Sequence, residues 1–554
     1  MYGRGKIWCV WILLLLATSG SVQAQAPQYV FKISFKDKAG APPLSSASSF
    51  LSQRSLDRRA AQGIALDSTD RPVSPTYIND VLTTTGGIFH VKSKWLNFLV
   101  ILLTDSSKIL TLSGKPYIRS IEYTGYYDPY LHNKTSNGGI NQNAQVTGSS
   151  NYYGSAWGQT DMVHGDYLHD RGFKGQGKLI AVLDAGFVGV DIGLGFDSLV
   201  QSGRIVDAYD LVHASTDVYS YSGHGTGCLS TMAAYLPGTY VGTAPLAEYA
   251  LYCTEVEGID QPAEMDNMVA GIERADSVGA DIISSSLGYN NFQGPGYTTL
   301  TYADIDGKTT APAKAVNLAT AKGILCVITA GNEGGNTWNY ILTPGDADSA
   351  VTVGSVNNNR DPAGDSGFGP NSAGRIKPDV CLLGSSAYIM QTSGTPVPGN
   401  GTSYATPQLA GWAACLWQAT SNTTPWELRN AITQSAHRYL NPGAQFGYGI
   451  PDFGKAFELM GIKDVAADLN TDNWLKAYPN PFDKQLTIGC YMDTNEKADI
   501  TIFDVTGRKV AASALQLNKG VQTVTIDLPG LSAGTYYLKA VTETKNTTIA
   551  LSHR

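Results

Sequence analysis

The chain has little charge: Lys, Arg, Asp and Glu together make up 16% of its 554 residues, with a formal net charge of −8. It has no dense Lys/Arg run, which excludes the electrostatic footprint of a nucleic-acid-binding protein. It also lacks an HExxH helix, and His164 and His169 stand five apart rather than four, so that route to a zinc site is closed. Beyond the N-terminus no segment approaches the roughly 20 apolar residues needed to cross a bilayer. Cysteine is sparse, with seven in all. Cys326 and Cys381 sit in apolar strand-like runs and Cys415 among alanines, contexts that favour buried, unpaired thiols over a disulfide framework.

What the chain does have is glycine (60 residues) and twice as much tyrosine (30) as phenylalanine (15), the composition of a compact, loop-rich extracellular protein. Its start agrees. Arg4 and Lys6 precede the apolar run Ile7 to Ala17, and Val22 and Ala24 supply a small-residue exit. That arrangement is a secretory signal peptide over residues 1–24, which would carry Cys9 away with it.

Three further units follow. In "YVFKISFKDK", Phe31, Ile33 and Phe35 alternate with Lys32, Ser34 and Lys36, which predicts a strand. "SSFLSQRSLDRRAAQGIAL" predicts a helix capped by Ser49 and stopped by Gly63. Strand runs at "GGIFHVKSKWLNFLVILL" and "PYIRSIEYTGYY" complete a small α+β unit ending near Tyr127. From His132 to Ser150 the chain is polar, aperiodic and rich in Asn, Gly and Ser, an exposed linker of the kind proteases cut. The α+β unit and most of this linker make up residues 25–145.

Residues 146–465 alternate short apolar strands ("KLIAVLDAG", "GADIISSSLG", "KGILCVITAGN", "AVTVGSV") with helical stretches ("PAEMDNMVAGIERADSVG", "APAKAVNLATAKG"). That pattern predicts an α/β domain with a parallel sheet flanked by helices. Residues 466–554 read as strands alone, separated by turn signals, and predict an all-β sandwich.

In the central domain, glycine frames one reactive residue after another. "VLDAG" ends a buried strand with Asp184, and ligands of open α/β sheets lie beyond the carboxyl ends of the strands. "GHGTG" places His224 at a helix start. "GTSYATP" opens a helix on Ser403, where the positive end of the helix dipole favours developing negative charge. Pro407 falls close enough to that start for its missing N–H to cost little. A serine becomes a nucleophile only with a base to take its proton and a carboxylate to orient the base. Asn332, in "AGNEG", ends another strand and offers an amide for an oxyanion.

These four motifs, in the order Asp184, His224, Asn332, Ser403 and with "KPDV" before the serine, resemble the subtilases, the subtilisin-like serine proteases, over about residues 150–460. The resemblance implies a subtilisin-like parallel sheet and a secreted serine endopeptidase acting on proteins or peptides. It also implies that Ser286, Leu287 and Gly288 form one wall of the substrate-binding site and Ala330 and Gly331 the other. Glu333 either lies near the pocket floor, favouring basic side chains, or faces solvent. The usual Ser or Thr after the aspartate is Ala185 here, which removes a possible hydrogen bond. Catalysis in the family needs no cofactor. Structural calcium is common there, but no acidic loop in this chain assigns a site. Cys228, four residues after His224, reads as a small buried side chain or as a point of thiol sensitivity.

The α+β unit resembles a subtilase propeptide, an intramolecular inhibitor. "YPNPF", "DVTGRKV" and "LSAGTYYLKA" resemble the sorting domain of proteins exported by the type IX system, which implies the secretion machinery as a partner and a secreted or cell-surface location. The rival expectation is a surface-binding protein on a subtilase fold that has lost activity.

Overall fold

The computed structural model describes residues 28–127, 151–420, 423–460, 469, 473–478, 480–482, 485–528 and 530–553. The signal segment with Cys9, the linker and most of the stretch around residue 465 lie outside them.

The N-terminal unit is a four-stranded antiparallel sheet built from β1 (Gln28–Phe35), β2 (Ile88–Ser93), β3 (Phe98–Leu103) and β4 (Ile118–Tyr127), in the order β2-β3-β1-β4. Helices α1 (Gln53–Ala61) and α2 (Pro75–Thr85) accompany it. Ser52 caps α1 by accepting the Ser55 N–H, not Ser49, which ends a separate 3-10 turn. Gly63 follows α1 at φ +68°, the left-handed conformation expected of a stop.

Alternation decides how this unit packs. Phe31, Ile33, Phe35, Leu99 and Ile101 form its own core. Val30, Phe98, Val100 and Leu102 point the other way and join the core of the central domain. There they meet α4 and α5, the Pro262–Val278 and Ala311–Ala321 helices, which follow α3 (His224–Ala233).

The central sheet has seven parallel strands. In chain order they are β5 (Leu179–Asp184), β6 (Ile205–Asp210), β7 (Glu248–Cys253), β8 (Ile282–Ser285), β9 (Leu325–Thr329), β10 (Val351–Val356) and β11 (Val380–Leu383). Their spatial order is β11-β10-β9-β8-β5-β7-β6. Both faces are covered, so Ile180 and Val182 of β5 enter one core while Leu179, Ala181 and Leu183 enter the other. Each of the buried leucine, isoleucine and valine side chains contributes about 1.5–3 kcal/mol by leaving water. Helix α6 (Thr402–Gln418) runs through the first core. A Cβ on its Gly411 would lie 1.9 Å from Thr243 Oγ1, so only glycine lets the helix pass there.

The C-terminal region is a pair of antiparallel sheets of three and four strands, with Leu486, Ile488, Ile500, Ile502 and Leu538 in one shared core. The six cysteines from Cys228 to Cys490 are all buried and unpaired. Among the described residues no helix is long and apolar enough to cross a membrane.

Candidate active site

Asp184 closes β5, and α3 begins at His224. The two ends meet because Gly225 has no side chain: a Cβ there would lie 2.5 Å from the Gly186 carbonyl oxygen and 2.9 Å from Asp184 Cβ. His224 Nδ1 consequently lies 2.7 Å from Asp184 Oδ1. With Nδ1–H donated to the carboxylate, Nε2 keeps its lone pair. Burial is the largest influence and lowers the imidazole pKa, but the neighbouring groups, the Asp184 carboxylate foremost, together outweigh it and hold His224 well above 6.5. The second Asp184 oxygen, Oδ2, is buried and has no hydrogen-bond partner among the described residues.

Ser403 is the second residue of α6, and Gly401 before the helix adopts φ +128°. Tyr404 sets its ring 6.2 Å from that of His224. Cys228 Sγ lies 3.9 Å from His224 Nδ1 and donates to the Ser403 carbonyl at 3.3 Å, so serine and imidazole stand on either side of one thiol. Pro407 is the sixth helical residue rather than one of the first turn, and its missing N–H matters more than the sequence suggests.

Asn332 follows β9. Its Oδ1 accepts the Thr402 N–H and the Thr402 hydroxyl, each at 2.9 Å, which leaves Nδ2 facing Gly401, where a Cβ would lie 3.3 Å away. Thr329 in turn donates to Thr402 Oγ1 at 2.7 Å. Thr402 was not singled out in the sequence, although the "GTS" entry carried it.

Ser286, Leu287 and Gly288 leave β8 beside Ala330 and Gly331, which leave β9. Leu342 packs closely against both segments: Cβ atoms on Gly288 and Gly331 would lie 2.7 Å and 2.6 Å from it. No sequence pattern marked Leu342. Glu333 is half-buried, and its carboxylate accepts from the Asn336 amide. A cavity of about 510 Å³ is lined by His224 together with Gly223, Glu257, Gly399, Asn400 and Tyr404.

Asp184, His224 and Cys228 offer donor atoms within 4.8 Å of one another. An imidazole and a thiol do not fit calcium, which takes six to eight oxygens. No step is assigned to a metal at this set.

The N-terminal unit seals the far side of α4. Glu273 accepts the Ser93 hydroxyl and the N–H groups of Lys94 (2.7 Å) and Trp95 (3.0 Å). Asp276, fully buried, binds Arg58 at 2.6 Å, Arg59 at 2.8 Å and Lys94 at 3.2 Å. At the end of β4, Tyr126 N–H donates to the Gln261 side chain at 2.8 Å, at the cap of α4.

A parallel sheet with an Asp–His pair at its carboxyl edge and a serine at the head of the central helix defines a serine-hydrolase architecture. Comparison with known proteins makes this specific. Residues 175–450 match the subtilase family, Peptidase S8. Subtilisin DY of Bacillus licheniformis is 30% identical over 290 residues, 52% of this chain and 93% of that protein. A thermostable alkaline protease of Halalkalibacterium halodurans is 30% identical over 319 residues, 57% of this chain and 76% of that one. The chain belongs to the subtilase family, whose members are serine endopeptidases.

Residues 30–138 match the Peptidase S8 propeptide domain of Bacteroidota, and residues 476–551 match a secretion-system C-terminal sorting domain. The latter, of the type IX kind, places the protein outside the cell or on its surface. The crystal structure of an epidermin leader peptide processing serine protease from Staphylococcus aureus shares the fold, with a TM-score of 0.54 at 16% identity. The match covers 81% of this chain and 100% of that one.

Proposed function

We propose that the protein is a secreted endopeptidase, made as a zymogen, that hydrolyses peptide bonds through Ser403, His224 and Asp184. His224 Nε2 takes the Ser403 proton as Oγ attacks the scissile carbonyl, and Asp184 stabilises the imidazolium that forms. The Asn332 amide and the Ser403 N–H hold the oxyanion, aided by the dipole of α6. His224 then protonates the leaving amine, and water admitted by the same base releases the acyl group. The substrate lies extended along Ser286, Leu287 and Gly288, with one side chain between them and Ala330 and Gly331. The N-terminal unit holds the enzyme inactive until it is cut away.

The observation that carries this reading is the 2.7 Å contact between His224 Nδ1 and Asp184 Oδ1 at the strand end, beside the helix that begins with Ser403. The relatives named as subtilisin and alkaline protease support the same chemistry. The purified, processed protein is labelled with a fluorophosphonate and tested for peptide cleavage beside Ser403→Ala. Labelling and cleavage by the wild type alone are expected. An unlabelled wild type that cleaves nothing after its propeptide is gone would leave a binding protein on a protease fold.

A further inference from the structure

In an α-helix the carbonyl of residue i takes the N–H of residue i+4. The carbonyl of Ser403 would be served by residue 407, which is proline and has no N–H to give. A buried carbonyl without a partner is costly. Two side chains from separate elements reach it instead: the Ser286 hydroxyl, just past β8, donates at 2.9 Å and the Cys228 thiol, from α3, at 3.3 Å. Burial pushes the Cys228 thiol up in pKa, so it keeps the proton it donates. Cys228 lies one helical turn beyond His224 on the same face of α3, and its Sγ is 3.9 Å from the imidazole Nδ1.

We infer that Cys228 is a positioning residue: with Ser286 it fixes the backbone of Ser403 through the carbonyl that Pro407 leaves open, and so sets the distance between nucleophile and base. This inference rests on the role proposed above for Ser403. The thiol contacts the backbone of the nucleophile's residue and lies beside Nδ1 of the base's ring, and a displacement of about 1 Å between two such residues can cost roughly 10²-fold in rate. Alanine at 228 would remove the thiol and leave the carbonyl to Ser286 alone. Serine would keep a donor.

The test is steady-state kinetics on a short peptide with the processed full-length enzyme, each variant normalised to the active sites titrated by fluorophosphonate. Cys228→Ala should lower kcat about tenfold or more with KM within about twofold, and Cys228→Ser should recover kcat to within about threefold of wild type. Pro407→Ala returns an N–H to position 407. In that background Cys228→Ala should cost less than about threefold, a non-additivity that a packing role would not produce. If Pro407→Ala does not fold, the Ala/Ser pair at 228 and the division between kcat and KM carry the test.

The inference is overturned by wild-type kcat in Cys228→Ala, by Cys228→Ser as impaired as Cys228→Ala, or by an equal loss in the Pro407→Ala background. Labelling of the wild type reads only the proposed function, while variant-to-wild-type ratios among titrated sites read only this inference.

Discussion

The backbone N–H of Ala185 donates to Asp184 Oδ1 at 2.8 Å, the same oxygen that faces His224, and nothing in the described structure donates to Oδ2. The carboxylate is therefore held from one side only. A hydroxyl at 185 would supply a donor beside the open oxygen. Ala185→Ser should raise kcat/KM by a few-fold, since a hydrogen bond to a charged group contributes about 1.5–3 kcal/mol net and part of it is shared with the ground state. Steady-state kinetics on one peptide decide it, and a decrease would show that the orphaned oxygen suits the enzyme as it is.

The pH profile has a defined sign. His224 acts as a base only when neutral, and its pKa stands well above 6.5 under the influence of Asp184. Activity should therefore fall as pH drops, along an acid limb with its midpoint above 6.5. Asp184→Asn should lower kcat by roughly 10⁴, the loss known for a triad whose histidine is held in the wrong tautomer. A limb centred below 6 in the wild type would contradict the assignment of base and carboxylate.

Release of the propeptide should also depend on pH, through a different histidine. His90 is buried against α4, with Nε2 3.0 Å from Asn267 Oδ1, and burial holds its pKa at about 4. A free histidine takes a proton near pH 6.5. The docked form excludes that proton, so the contribution of His90 to docking is complete above 6.5 and is lost as pH falls towards 4. Asp266, raised to about 6 chiefly by burial and facing Lys32, works in the opposite direction, because docking favours its protonated form. The informative measurement is the propeptide dissociation rate of wild type against His90→Gln from pH 7 to 5. Only the wild type should speed up through protonation of His90, and identical slopes would remove His90 from the account.

Asp276 makes a stability prediction. Arg58, Arg59 and Lys94 all pair with it within a buried interface, and Arg59 also reaches Asp70 at 3.1 Å. Asp276→Ala leaves those cations without their shared partner, and breaking a buried pair from one side costs about 3–5 kcal/mol. Thermal unfolding of the uncut Ser403→Ala chain, with and without the Asp276 change, measures it. An unchanged midpoint would mean that water reaches the cations.

Much of this was legible because glycine marks positions that must be bare. Gly225 and Gly411 each stand where a single carbon would collide with another element, so the frames around His224 and Ser403 record tertiary approach in local sequence. The alternation of Phe31, Ile33 and Phe35 likewise exposed the inward face of the propeptide sheet. Other features had no local signature. Ser52 rather than Ser49 caps α1 because the preceding serines settle into a 3-10 turn that propensity does not distinguish from the helix. Leu342 matters through what two distant glycines rest on, and Cys228 through a carbonyl 175 positions away. Contacts of that range are fixed by the fold as a whole.

The six buried thiols bear on how the protein is made. All six, from Cys228 to Cys490, are pushed upwards in pKa by burial, so none is poised to ionise and exchange. Assembly of the described domains therefore draws on no electron acceptor. A chain of this kind can reach its final form on either side of an envelope, and neither the reductants it leaves nor the oxidants it meets has a covalent hold on its shape.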